Sequence, residues 1–236
     1  MAIRLLTFDL DDTLWEFAPV LVRAEAMTYA WLQQFVPAVT QRFSIEDLRA
    51  IRMRIAQEEP ALAHRVTELR VRGLHRAMQL AGLVDHTIEA LVEQAFATFL
   101  HARHDIELFD DAESVLLELK NTYVLGAITN GNVEIARLGL DRYFNFAINA
   151  EQLTRAKPHP EPFLQALAAV DCAPYECIHI GDDAENDVRG AQRLGIHTIW
   201  VNRLQEPWSG DRPPNQVIRQ LVELPDAVRR IAENAV

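Results

Sequence analysis

The chain has 236 residues, 49% apolar and 24% charged, a composition that fits one large globular domain or a core carrying an insert. Its 34 acidic residues outnumber 23 basic ones, and the net charge of -11 argues against a nucleic-acid or anionic-membrane surface, since both need clustered positive charge. No apolar run approaches the roughly 18 residues of a membrane span, and the N-terminal MAIRLLTFDLDD turns acidic too early for a signal peptide, so a cytoplasmic location is the default expectation.

In chain order, residues 3–8 (IRLLTF) form a short apolar run ending at an acidic cluster, as a buried parallel strand does. The DLDDTL that follows places Asp9, Asp11 and Asp12 within four positions, where they repel one another unless a positive group sits among them. Such oxygen ligands suit Mg²⁺, although a turn that caps a helix uses the same residue types. Trp15, Glu16 and Phe17 come next, for packing or for a seam between core and insert. Residues 19–103 then read as helical. Pro37 marks a helix boundary. The stretch 60–83 carries Leu62, Val66, Leu69, Leu74 and Met78 at helical spacing, and 86–100 repeats the pattern with Ile88, Val92, Ala95 and Phe99. His64, Thr67, Arg70 and Arg72 are polar positions that either a solvated helix face or a ligand contact explains.

Beyond the insert, helical stretches at 112–121, 133–140, 161–170 and 186–194 alternate with apolar strand segments at 124–129, 177–180 and 198–201. This alternation predicts an α/β fold: a Rossmann-like parallel sheet with helices on both faces, and an α-helical cap inserted after the first strand. The corresponding division is a catalytic core of 1–18 and 104–236 with a helical cap of 19–103. Residues 205–214 read as a surface loop and 225–234 as a final helix. Ligands of open α/β sheets sit beyond the carboxyl ends of the strands, so an insert leaving that end can roof the site. Cys172 and Cys177 form neither a zinc nor a redox spacing and read as ordinary thiols.

Three more motifs follow strands. In ITNGN (128–132) the Thr129 hydroxyl, the Asn130 amide and Gly131 make an oxyanion cradle or a capped helix start. In AKPHP, Pro158 pushes Lys157 out of helical geometry, where its ammonium can neutralise a phosphate or a crowded carboxylate, or simply lie in a surface turn. In GDDAEND, Asp182, Asp183 and Asp187 stand at a helix entrance as metal ligands or as caps.

In this order DLDDTL, ITNGN, the lysine of AKPHP and GDD resemble the haloacid dehalogenase superfamily, over residues 1–18 and about 104–205. The insert resembles that family's C1-type helical cap. The resemblance implies a Mg²⁺-dependent phosphomonoester hydrolase in which Asp9 is the nucleophile and carries an aspartyl-phosphate. It implies that Asp11 protonates the leaving oxygen and later deprotonates water. Mg²⁺ would be held by a carboxylate oxygen of Asp9, the backbone carbonyl of Asp11, and Asp182. Thr129 and Asn130 would bind phosphoryl oxygens, and Lys157 would bridge the phosphate and Asp9. Asp183 and Asp187 would orient metal-bound water or Lys157, with direct ligation by Asp187 left open. The implied partner is a small soluble phosphorylated metabolite, with no nucleic acid and no membrane; monomer and homodimer stay open.

The same phrases, with EPALAHRVTELRVR at 59–72, are similar to bacterial phosphatases that act on flavin mononucleotide and on 5-amino-6-(5-phospho-D-ribitylamino)uracil, which implies riboflavin biosynthesis. Nucleotide and sugar-phosphate phosphatases and phosphomutases share the core. A dehalogenase would need neither Asp11 nor Asp182. A phosphate-accepting receiver domain would lack both the insert and the acid two residues past the acceptor.

Overall fold

A computed structural model describes residues 2–234. Met1, Ala235 and Val236, the outermost residues of the expected core, lie outside the described residues. The chain forms two compact units, Met1–Glu16 with Glu107–Val236, and Phe17–Ile106. Helices α1 (Phe17–Phe35), α2 (Pro37–Thr40), α3 (Ile45–Glu58), α4 (Val66–Leu80) and α5 (Asp85–Arg103) fall in the second unit. The first unit holds α6 (Ala112–Lys120), α7 (Pro160–Val170), α8 (Gly190–Gln192) and α9 (Leu224–Asn234).

The first unit is built on a six-stranded, wholly parallel sheet of order β3-β2-β1-β4-β5-β6. Its strands are β1 (Leu5–Phe8), β2 (Val124–Thr129), β3 (Phe146–Asn149), β4 (Cys177–Gly181), β5 (His197–Val201) and β6 (Gln216–Ile218). Leu5 packs with Ile148, Phe163 and Leu167 on the α7 side. Leu6 must point to the opposite face and is also fully buried, so both faces are covered. The fold is the Rossmann-type α/β sandwich expected from the alternation. Phe8 is in register with Ala127 of β2 and Ile180 of β4, so the three central strands end nearly level.

The edge strands β3 and β6 were not among the expected strands, because they are only partly buried and lack the continuous buried run of the inner strands. The expected helix at 133–140 is absent. The backbone bonds there, Arg137 N–H to Glu134 and Leu138 N–H to Ile135, are tight three-residue closures. Gly139, at a left-handed φ of 67°, then ends the run with a Leu140 N–H bond to Ile135. That stop signal comes before a stable helical turn can propagate. Of the expected helix at 60–83, only Val66–Leu80 is α-helical; Pro60–Leu62 forms a 3₁₀ turn. The stretch 186–194 begins in a π-helical turn, Ala184–Arg189, that runs into α8.

In the second unit Leu32, Val36, Leu74, Met78, Ile88 and Val92 form one apolar cluster. Beside it the Glu25 carboxylate, 5% exposed, gathers three guanidinium groups: Arg49 at 2.6 Å, Arg52 at 3.3 Å and Arg70 at 3.4 Å. Arg70 also lies 3.6 Å over the Phe99 ring. These contacts tie α1 to α3, α4 and α5. Burial pushes the Glu25 carboxyl up, but the Arg49 hydrogen bond and the charges of Arg70 and Arg52 outweigh it and hold the group below its ordinary value. Among the described residues, no helix is long and apolar enough to cross a membrane.

Removing Glu25 leaves three cations facing one another, so Glu25→Gln should destabilise the protein by roughly 3 kcal/mol at pH 7 in urea unfolding. Because the folded-state value is depressed, the stabilisation is complete above the unfolded value of about 4.5 and is lost as pH falls through the folded one. The gap between wild type and Glu25→Gln should therefore narrow from pH 6 to pH 3.

Candidate active site

Strand order reverses direction between β1 and β4, the switch point where open α/β sheets leave a crevice beyond their carboxyl ends. Asp9 sits there. Its N–H continues the ladder to Ile180 of β4 at 2.8 Å, which places the carboxylate one residue past the strand tip. Asp182 follows Gly181 at the tip of β4, and Thr129 ends β2.

Lys157 reaches this point from the loop before α7 and is 4% exposed. Its ammonium donates to Asp9 Oδ1 at 2.6 Å, to Asp187 Oδ1 at 2.6 Å and to the Ile128 carbonyl at 2.8 Å, one acceptor for each proton. The Asn130 side chain holds the Lys157 backbone at both polar groups, accepting from its N–H at 3.0 Å and donating to its carbonyl at 2.9 Å. The Lys157–Pro158 peptide bond is cis. Burial alone would depress the lysine, but the Asp187 and Asp9 charges win and raise it above its ordinary value.

The acids around it divide sharply. Asp187 Oδ1 also accepts from His179 Nε2 at 3.1 Å, and its Oδ2 accepts from the Asp183 N–H at 3.0 Å. Burial opposes its ionisation, yet Lys157 and His179 overcome that and hold it well below the carboxylate range. Asp9 goes the other way: burial, with Asp187 and Asp182 adding to it against Lys157, raises it well above the usual value. Burial and the Asp187 charge push Asp182 up to about 7. Two of these carboxylates thus share one ammonium, and Asp9, Asp182 and Asp187 can each bring an oxygen within 4.8 Å of the others. That donor set, hard, anionic and short of positive charge, fits a divalent cation such as Mg²⁺. Since both oxygens of Asp187 are already taken by N–H donors, Asp9 and Asp182 have the free capacity.

The remaining expected residues take varied places. Asp11 accepts from Trp15 Nε1 at 2.9 Å, so the fully buried indole orients the carboxylate four residues before it. The turn between them passes through Asp12 at φ 57°. Asp182 Oδ1 accepts from Thr13 at 3.0 Å, and its carbonyl accepts from Trp200 Nε1 at 2.7 Å. Thr129, 2% exposed, accepts from the Gly131 N–H at 2.9 Å, which leaves its own proton to donate. The Asp183 carboxylate caps the π-helical turn through Glu185 N–H and Asn186 N–H, so its role in the site is through its backbone. Outside this cluster, Arg70 is committed to Glu25, and Arg72 to Glu59 and Glu68. The supports that sequence reasoning missed are Thr7, Thr13, His179 and Trp200. Thr7, His179 and Trp200 lie within strands, where an apolar-looking run hides a polar role.

A family model described as haloacid dehalogenase-like hydrolase matches residues 3–195. The chain belongs to this family. It is 34% identical over 226 residues to the 5-amino-6-(5-phospho-D-ribitylamino)uracil phosphatase YigB of Escherichia coli K12, covering 94% of each chain. A phosphoserine phosphatase of Thermus thermophilus is 28% identical over 257 residues, covering 94% of this chain and 97% of that one. Among solved structures, a 2-haloacid dehalogenase from Pseudomonas syringae pv. Tomato DC3000 superposes with a TM-score of 0.92 at 41% identity, over 97% and 99% of the two chains. As a haloacid dehalogenase-like hydrolase, the protein is an enzyme.

A Cβ at Gly181 would stand 2.3 Å from the Asp187 carboxylate, so no side chain fits there without displacing the partner of Lys157. Gly181→Ala should lower turnover about 100-fold or more, while circular dichroism still reports a folded sheet.

Proposed function

We propose that this hydrolase is a Mg²⁺-dependent phosphatase of a small phosphorylated metabolite, with Asp9 accepting the phosphoryl group. The observation that carries the reading is the buried Asp9–Lys157 contact of 2.6 Å at the switch point, inside a cluster short of positive charge. Lys157 fixes one oxygen of Asp9 and leaves the other to attack phosphorus in line. As the Asp9–phosphorus bond forms and the ester bond breaks, Asp11 gives its proton to the leaving oxygen. Asp11 then takes a proton from water, whose oxygen attacks phosphorus to release phosphate and restore Asp9. The Thr129 hydroxyl and the Asn130 backbone N–H serve the phosphoryl oxygens, because the Asn130 side chain is spent on Lys157. Mg²⁺, held by carboxylate oxygens of Asp9 and Asp182 and the Asp11 carbonyl, would neutralise the repulsion between an anionic nucleophile and an anionic phosphate. Asp187 serves by holding Lys157, and Asp183 by holding Asp187.

For the substrate, the full-length likeness to the E. coli enzyme supports 5-amino-6-(5-phospho-D-ribitylamino)uracil, with flavin mononucleotide as its chemical neighbour. The helical unit, inserted directly after the nucleophile loop, would act as the cap that selects it. Phosphate release with Mg²⁺ across flavin, nucleotide, pyridoxal and sugar phosphates tests this, and a kcat/KM no higher for the ribitylaminouracil phosphate than for the others would count against it.

A dehalogenase reading has one observation in its favour, the 41% identity to the 2-haloacid dehalogenase from Pseudomonas syringae. Displacing halide from carbon calls for no proton donor to the leaving group and no cation, so Asp11 and Asp182 argue against it. Chloride release from 2-chloropropionate without phosphate release from any ester would reverse the assignment.

Asp9→Asn should lose about 10⁴-fold or more in kcat with the fold intact, and Asp11→Asn about 10²- to 10⁴-fold. Chelation of divalent ions should abolish turnover of the wild type, and added Mg²⁺ should raise its Tm but not that of Asp182→Asn.

A further inference from the structure

Behind the reacting groups lies a buried line of side chains that the chemistry above does not use. Thr7 Oγ1 lies 2.9 Å from His179 Nδ1 and 3.8 Å from Cys177 Sγ. His179 Nε2 lies 3.1 Å from Asp187 Oδ1, and all of these side chains are at most 2% exposed. The His179 ring is wedged edge-on against Phe163, with centroids 5.0 Å apart at 89°.

The direction of each hydrogen bond follows from chemistry. Asp187 is ionised, so it can only accept, and His179 Nε2 must carry a proton. Burial lowers the imidazole below its ordinary value, which leaves it neutral with a bare lone pair on Nδ1. The Thr7 hydroxyl must therefore donate there. Its oxygen is then open to the Cys177 thiol, which burial keeps protonated. The result is one chain of donors, from Cys177 to Thr7 to His179 to Asp187, which meets Lys157 from the far side.

We propose that His179 is a positioning residue for the reaction: a neutral imidazole in the Nε2–H tautomer, steadied by a donor bond from Thr7, that fixes Asp187 and through it holds the Lys157 ammonium on the nucleophile. The role rests on the reading of Asp9 as nucleophile; the tautomer does not. Lys157 has three protons and three acceptors, so a carboxylate that swings away at Asp187 lets the ammonium follow it or collapse onto Asp9. Besides Lys157 itself, two N–H donors keep Asp187 from swinging, the Asp183 backbone and the His179 side chain. The histidine thus acts on a residue that acts on Asp9, without touching the substrate.

Two measurements test this separately. In ¹⁵N-labelled wild type at neutral pH, two-bond ¹H–¹⁵N correlations, with the His179 signals assigned by their loss in His179→Gln, should show the neutral Nε2–H tautomer. An Nδ1–H tautomer or an imidazolium overturns the proposal whether or not the protein is a phosphatase. With p-nitrophenyl phosphate as probe, His179→Leu should lower kcat about 30-fold with KM nearly unchanged. His179→Gln keeps an N–H donor and should recover to within about fivefold of wild type. Thr7→Val keeps shape but leaves Nδ1 without its donor, so it should loosen the imidazole and lower kcat about fivefold. Equal losses in Leu and Gln, or losses that merely follow Tm across the three variants, would show a packing role and overturn the proposal. A wild type inactive on every phosphate ester would sink the phosphatase reading instead, with the tautomer still decided by the spectrum.

Discussion

The structure turns on one buried cation. The Lys157 ammonium lies between Asp9 and Asp187, and taking such charges out of water costs several kcal/mol each unless partners meet them at close range. Every acceptor the ammonium uses comes from a different stretch of chain: the tip of β1, the end of β2 and the π-helical turn after β4. The site therefore exists only when the sheet is assembled. The single ammonium also leaves the three carboxylates undercompensated, and that shortage is one a divalent cation would relieve.

The local backbone serves this arrangement at some cost to regularity. Gly181 has no side chain because Asp187 passes where one would be. The helix after β4 opens into a π-helical turn, closed by a Val188 N–H bond to Asp183 five residues back, and this aims Asp187 at Lys157. Wide turns of this kind are rare and frequently mark functional sites. Asn130 spends its amide on the backbone of Lys157, so a residue that reads as a phosphate ligand acts as a strap for the lysine. Trp15 reads as packing, and it does pack, yet its N–H also sets the direction of Asp11.

The helical unit follows another logic. Its arginines look like candidates for grasping an anionic substrate, but Arg70 and Arg72 are engaged with carboxylates of their own unit. Glu25 makes the difference for Arg70. A single buried acid collects charge from α3 and α4 and thereby converts a polar helix face into a clamp. Its most conspicuous cations are thus spent on holding the unit's own helices together.

Much of the molecule was legible in the one-dimensional pattern. Short apolar runs ending in acids, alternating with helical stretches, specify a covered parallel sheet, because both the period of burial and the right-handed crossover are local properties. The residues Asp9, Lys157, Asp182 and Asp187 stood out because their motifs occur together in one order along the chain, although each alone also fits a cap or a surface turn. Other features could be decided only by the folded chain. The edge strands are only partly buried and so carry no continuous apolar run, and the helix expected at 133–140 gave way to turns because Gly139 ends it too soon. Whether Asn130 grips a phosphate or a lysine, and whether Asp187 faces a metal or an ammonium, depends on distances between residues 27 and 30 positions apart in sequence. His179 looked like one more strand residue until the fold put Asp187 and Thr7 on its two nitrogens. Sequence determines which groups can ionise and donate; only tertiary structure decides which of them meet, since hydrogen bonds and desolvation act over a few ångströms and spacing along the chain does not measure that.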